Sequence, residues 1–172
     1  MKKQFYLAYG SNLNLSQMQY RCPDSRVVGS TFLVNKKLAF KGTIDGLSYL
    51  TVENEDGFLT PVGIFEVSSN DIKNLDKFEG YPRKYRKEYI NILVNGKEEL
   101  AMYYVMRKWL NVDYHIPSEL YINTCIQGYK EFGFPMEILR ESYNESLRKR
   151  YNNDTKEDYF KNHAGSLTKI LR

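Results

Sequence analysis

Two cysteines and two histidines are all that this 172-residue chain has of the side chains most used as soft nucleophiles and metal ligands. Cys22 and Cys125 stand far apart, so no disulfide framework can form, although a single bridge stays open. No Cys/His cluster has zinc spacing, and no metal site is expected. Neither cysteine has a histidine near it in sequence to activate it, so both read as structural thiols. His115 and His163 fall in a loop and in the tail and read as surface residues. The G-x-S-x-G elbow of serine hydrolases is absent. There is no P-loop and no G-x-G-x-x-G, so nucleotide use has no support and no cofactor is expected.

Long apolar runs are missing as well. None approaches the ~20 residues of a membrane helix, and Met1-Lys2-Lys3 leads straight into a strand rather than a signal segment. A cytoplasmic protein with free thiols and no membrane partner is the expectation. The net charge is only +4, and Lys and Arg are interleaved with Asp and Glu. The compact basic runs are Arg83-Lys84 with Arg86-Lys87, and Arg148-Lys149-Arg150. They read as solvated surface, so no nucleic-acid partner is expected, though the first run could also attract an acidic substrate.

What the chain has in plenty is aromatics, with 15 Tyr and 9 Phe. Tyrosine combines apolar area with a polar tip and suits the wall of a polar-ligand pocket. The stretch Tyr6-Leu7-Ala8-Tyr9-Gly10-Ser11-Asn12-Leu13 organises the rest. Lys3–Tyr9 reads as a strand that breaks into the turn formers Gly10-Ser11-Asn12 just before a helix of about Leu15–Arg21. Such a corner aims several backbone N–H groups at one point and makes a nest for an anion or a polarised carbonyl. An ordinary strand–turn–helix corner has the same spacing.

After Pro23 the chain reads as strands: Arg26–Phe40 with a bulge or turn at Asn35-Lys36-Lys37, then Tyr49–Glu53, a turn at Asn54-Glu55-Asp56-Gly57, and Val62–Val67. Ser68-Ser69-Asn70-Asp71 caps a helix carrying Ile72, Leu75 and Phe78 at helical spacing, ended by Gly80 and Pro82. Arg86–Val94 and Glu99–Met106 form a hairpin around Asn95-Gly96. Trp109–His115 is a loop, and helices follow over about 118–132 and 136–150. Strands first and helices last argue for an α+β fold in one domain over residues 1–150. The polar tail, 151–172, reads as part helical with few apolar anchors, lying on the surface or on a partner chain; a homodimer stays open.

Glu79 is the candidate catalytic group. It lies at the end of a helix, where the dipole disfavours an acid, beside Phe78 and Tyr81. A carboxylate among aromatics loses hydration, its pKa rises, and it can serve as base and then acid near neutral pH. A solvated glutamate at a helix end is the plainer alternative.

Three pieces of the sequence resemble the γ-glutamylcyclotransferase family, in the family's order. They are Tyr9-Gly10-Ser11-Asn12-Leu13 with Met18 and Arg21-Cys22-Pro23, Leu75-Asp76-Lys77-Phe78-Glu79-Gly80 with Tyr85, and Pro117-Ser118-Glu119-Leu120-Tyr121 leading to Gly128. The resemblance implies a small mixed β-barrel flanked by helices. It also implies a lyase reaction in which the α-amine of a γ-glutamyl amide attacks its own γ-carbonyl, giving 5-oxoproline and a free amine. Glu79 would be the acid/base. Tyr9, Gly10, Ser11, Asn12 and Leu13 would bind the glutamyl group, with Tyr85, Tyr121 and Tyr104 as further substrate contacts and Tyr6 and Tyr9 walling the pocket. The partner is then a small γ-glutamyl compound. A module that keeps fold and pocket but only binds such ligands is the alternative.

Overall fold

The structure is a computed structural model that describes residues 4–42, 47–108 and 113–150. Five strands and four α-helices run in the order β1 (Gln4–Ala8), α1 (Leu15–Arg21), β2 (Arg26–Gly42), β3 (Ser48–Val67), α2 (Ser69–Glu79), β4 (Tyr85–Val94), β5 (Lys97–Met106), α3 (Glu119–Phe132) and α4 (Met136–Arg150). A 3-10 turn, Ser11–Leu13, sits between β1 and α1. The strands form one mixed sheet in the order β2-β3-β1-β5-β4. β1 is antiparallel to β3 and parallel to β5, which puts the Gly10 turn at the middle of the sheet's end.

The α+β class and the mixed sheet agree with expectation. The expected barrel is not closed: among the described residues no ladder joins the edge strands β2 and β4. The sheet instead curls, held by side-chain bonds. The Tyr85 hydroxyl donates to the Leu50 carbonyl at 3.0 Å, Met106 N–H donates to Thr51 Oγ1 at 3.0 Å, and Lys36 pairs with Glu88 at 2.9 Å.

Local chemistry explains most element ends. Asn14 caps α1 by accepting from Gln17 N–H. Ser68 and Asp71 form a reciprocal capping box on α2, and Gly80 ends that helix in the left-handed conformation. Asn95 and Gly96 both take positive φ, as a two-residue hairpin turn requires. The turn expected at Asn54–Gly57 is instead part of the uninterrupted strand β3. The ladder jumps there, pairing Lys36 with Asn54 but Val34 with Leu59, so residues 55–58 bulge outward. Asn35, at φ 55°, accepts from Gly57 N–H at 3.0 Å and clamps the bulge. The pairing partner β2, not the local turn signal, decides the outcome. β2 also runs on to Gly42, past its expected end. The expected tail, 151–172, residues 109–112 of the expected Trp109–His115 loop, Lys3 of the expected first strand, and residues 43–46 lie outside the described residues.

α3 packs closely against the 3-10 turn. A Cβ added at Gly128 would lie 2.5 Å from Leu13 Cβ and 2.6 Å from Asn14 N. Only glycine permits that approach, and it presses the turn into place from behind.

Candidate active site

The turn, the end of α2 and the aromatic strands meet around one cavity of about 210 Å³. Tyr6, Tyr9, Gly10, Ser11 and Asn12 line it from β1 and the turn, Glu79 from α2, Tyr85 and Tyr104 from β4 and β5, and Tyr121 from α3. Of the residues expected to contact substrate, Leu13 is the exception. It is fully buried, below Gly63 and Gly128, and its N–H closes the turn onto the Gly10 carbonyl. Its apolar side chain belongs to the core because α3 covers it. Asn14 N–H closes onto Ser11 in the same way. Among the described residues, the N–H groups of Gly10, Ser11 and Asn12 make no such turn bond.

Glu79 is partly buried and is the single carboxylate among the described lining residues. Burial pushes its pKa from the ordinary 4.5 up to about 7, against the opposing pull of the Arg21 charge and an Asn12 hydrogen bond. The helix end supplies no compensation for negative charge. Asn12 is 3% exposed, and its side chain reaches away from the backbone of its own turn. Asn12 Nδ2 donates to Glu79 Oε1 at 3.1 Å and to the Tyr6 hydroxyl at 2.9 Å. Asn12 Oδ1 accepts from Arg21 at 2.7 Å, and the Arg21 guanidinium lies 4.5 Å from the centre of the Phe78 ring.

The tyrosine hydroxyls differ in their commitments. Tyr9 donates to the Tyr104 carbonyl at 2.6 Å and Tyr85 to the Leu50 carbonyl. Tyr104 donates to Asp76 Oδ1 at 2.6 Å, and Asp76 is held by Lys87. Tyr121 accepts from Leu50 N–H at 3.1 Å, and a Cβ at Gly10 would come within 3.3 Å of its oxygen. Burial raises the pKa of all of these phenols, so they stay protonated.

Gln17, Arg21, Tyr49, Leu50, Phe78 and Lys84 also line the cavity without having been assigned to it from sequence. Arg21 and Phe78 stand inside the quoted motifs and were legible there; Tyr49 and Leu50 arrive only through the curl of β3. Cys22 and Cys125 are free and buried, with both thiols pushed up to about 12 by burial, and neither lines the cavity. The His115 ring instead packs against Gly42. His163 lies outside the described residues. Among the described residues no three His, Cys, Asp or Glu side chains gather as a metal site. No helix of theirs is long and apolar enough to cross a membrane.

A family model described as gamma-glutamyl cyclotransferase, AIG2-like, matches residues 6–123. No curated protein matches the chain. A solved structure described as a gamma-glutamyl cyclotransferase is 23% identical with a TM-score of 0.71, over 94% of this chain and 99% of that one. An uncharacterized protein from Homo sapiens is similar to the same degree, at 23% identity, TM-score 0.71, and 94% and 99% coverage. YkqA from Bacillus subtilis is 17% identical with a TM-score of 0.67, over 84% of this chain and 55% of that one. At these identities the structures speak for the fold. The family model reaches further, because it takes in the β1 turn, the end of α2 with Glu79, and Tyr121. By that match the chain belongs to the gamma-glutamyl cyclotransferase, AIG2-like family.

Proposed function

We propose that the protein converts a γ-glutamyl amide to 5-oxoproline and a free amine, with Glu79 moving the protons. The nucleophile and the carbonyl belong to one substrate molecule, so holding the right rotamer supplies much of the acceleration. One observation carries the reading: a single carboxyl group, raised to about 7 by burial, shares a small cavity with the Gly10–Asn12 turn, whose amides make no turn bond. That pKa suits a group that must take and return a proton near neutrality.

The steps balance on Glu79 alone. Its carboxylate takes one proton from the substrate ammonium. The freed amine attacks the γ-carbonyl carbon, the ring C–N bond forms, and the carbonyl π pair moves to oxygen. As that pair returns, the bond to the leaving nitrogen breaks and Glu79 protonates that nitrogen. Glu79 then takes the second proton from the new ring nitrogen and passes it to the departing amine, ending as it began. The Gly10–Asn12 amides hold the glutamyl end, with Tyr9, Tyr85, Tyr104 and Tyr121 shaping the wall. We assign Leu13 to supporting the turn from the core. The partner in this reading is a small γ-glutamyl compound.

The test is 5-oxoproline release from L-γ-glutamyl-L-alanine, γ-glutamyl-ε-lysine and γ-glutamyl-p-nitroanilide. Glu79→Gln lowers turnover at least 10²-fold, the lower range for loss of a general acid–base group. Full activity in that variant removes the mechanism. Thermal stabilisation by these compounds without product identifies a binding module instead.

A further inference from the structure

Arg21 carries donors only, so the Asn12 atom it meets at 2.7 Å has to be the amide oxygen. The Gln17 amide nitrogen faces the same oxygen at 3.4 Å. The Asn12 NH₂ is thereby forced toward Glu79 and Tyr6, one hydrogen for each. This fixes the direction of a further proton. The Tyr6 oxygen is an acceptor from Asn12, so its own hydrogen must point elsewhere. Among the described residues no acceptor takes it, although Tyr6 is only 4% exposed and lines the cavity. Tyr9, Tyr85 and Tyr104 have all committed their hydrogens to protein acceptors. Tyr121 sits against Leu50 N–H and close to the Cys125 thiol. Tyr49 lines the cavity too, but among the described residues no hydrogen bond joins Tyr49 or Tyr121 to Asn12 or Glu79. Tyr6 is the cavity phenol with a preset donor tied to the carboxyl group: one Asn12 nitrogen lies 2.9 Å from its oxygen and 3.1 Å from Glu79 Oε1.

We propose that Tyr6 is a catalytic residue, whose hydroxyl donates a hydrogen bond to the γ-carbonyl oxygen as charge builds there, and that Arg21 and Asn12 are the positioning residues that aim it. The inference rests on the cyclotransferase reading. No proton is transferred to the oxygen: the π pair moves onto it during ring closure, Tyr6 holds it by a hydrogen bond, and the pair returns when the leaving nitrogen departs. A donor fixed before the charge develops needs no reorganisation at that moment. An Asn12 amide released from Arg21 can turn over, and its oxygen would then capture the Tyr6 hydrogen and silence the donor.

The experiment compares Tyr6→Phe, Arg21→Met and Arg21→Lys with wild type in 5-oxoproline release from the same three compounds, and in calorimetric binding of 5-oxoproline. Tyr6→Phe keeps the ring and its packing. Its kcat falls about 10²-fold or more, the range for loss of one oxyanion donor, with KM within about threefold. Arg21→Met lowers kcat about tenfold, and Arg21→Lys, which restores a donor to Asn12, recovers part of it. The product keeps a carbonyl at the same place, so Tyr6→Phe also binds 5-oxoproline more weakly, about fivefold or more. If wild type turns over and Tyr6→Phe keeps kcat within threefold, the Tyr6 assignment falls and the cyclotransferase reading stands. If wild type neither turns over nor binds 5-oxoproline, both fall. Should Tyr6→Phe fail to fold, the Arg21 pair decides: equal kcat in Met and Lys overturns the aiming mechanism.

Discussion

Replacing Glu79 by glutamine stabilises the fold above neutral pH, and the size of the gain follows from the site. Glutamine mimics the protonated side chain and still offers an oxygen to Asn12 Nδ2. Burial raises the carboxyl pKa from 4.5 to about 7. The folded protein therefore binds this proton more tightly than the unfolded chain does. Below pH ~4.5 both states hold it and the group costs nothing; between ~4.5 and ~7 only the folded state holds it, so stability falls as pH rises. Above ~7 the folded protein carries a buried charge that the unfolded chain exposes to water. The full difference is about 3 kcal/mol at roughly 1.36 kcal/mol per pH unit. Water at the cavity mouth screens part of it, so about 1–3 kcal/mol is expected. The assay is urea unfolding of wild type and Glu79→Gln at pH 5, 6, 7 and 8. Subtracting one profile from the other cancels every other titrating group. The difference is under about 1 kcal/mol at pH 5 and grows in favour of the variant through pH 7 toward its full value. Parallel profiles, or a wild type that gains on the variant as pH rises, would refute the claim that desolvation dominates at Glu79.

The same group sets the rate profile: kcat/KM falls on the acid side with an apparent pKa near 7, approaching tenfold per pH unit below ~6, as steady-state 5-oxoproline release between pH 5 and 8 will read out. Arg21→Met removes the charge that holds Glu79 down, so that acid limb moves to higher pH, whereas loss of packing alone would lower the rate without moving the limb. Gly128→Ala forces Leu13 and Asn14 away from α3, because the new Cβ would sit 2.5 Å from Leu13 Cβ. It costs about 1–3 kcal/mol in urea unfolding, as overpacking does, and raises KM by displacing the turn. Ser68→Ala breaks the α2 capping box, far from the cavity, and lowers stability by about 1 kcal/mol while leaving KM unchanged.

Much of the molecule was settled by neighbours in sequence. The end of α2 follows from Gly80, which takes the left-handed conformation that side chains resist, and its start from Ser68 and Asp71 reaching adjacent amides. The β4–β5 hairpin follows from Asn95-Gly96 for the same steric reason. These are short-range effects, so a local reading suffices, and it also leaves Glu79 at a helix end where its charge is unwelcome. Other features needed the whole chain. Asn54–Gly57 carries a turn signal, yet β2 pairs on both sides of it and leaves it a bulge within β3. Leu13 belongs to the same motif as Asn12 but faces the core, because Gly128 brings α3 down upon it. The use of each tyrosine hydroxyl was open until its partner was known: Tyr104 meets Asp76 of α2, Tyr9 meets a β5 carbonyl, and Tyr6 meets an amide that Arg21 has turned. A phenol is the same group at every position in a sequence. Which way its hydrogen points depends on atoms brought near it from distant parts of the chain, and only the folded sheet and its helices determine those.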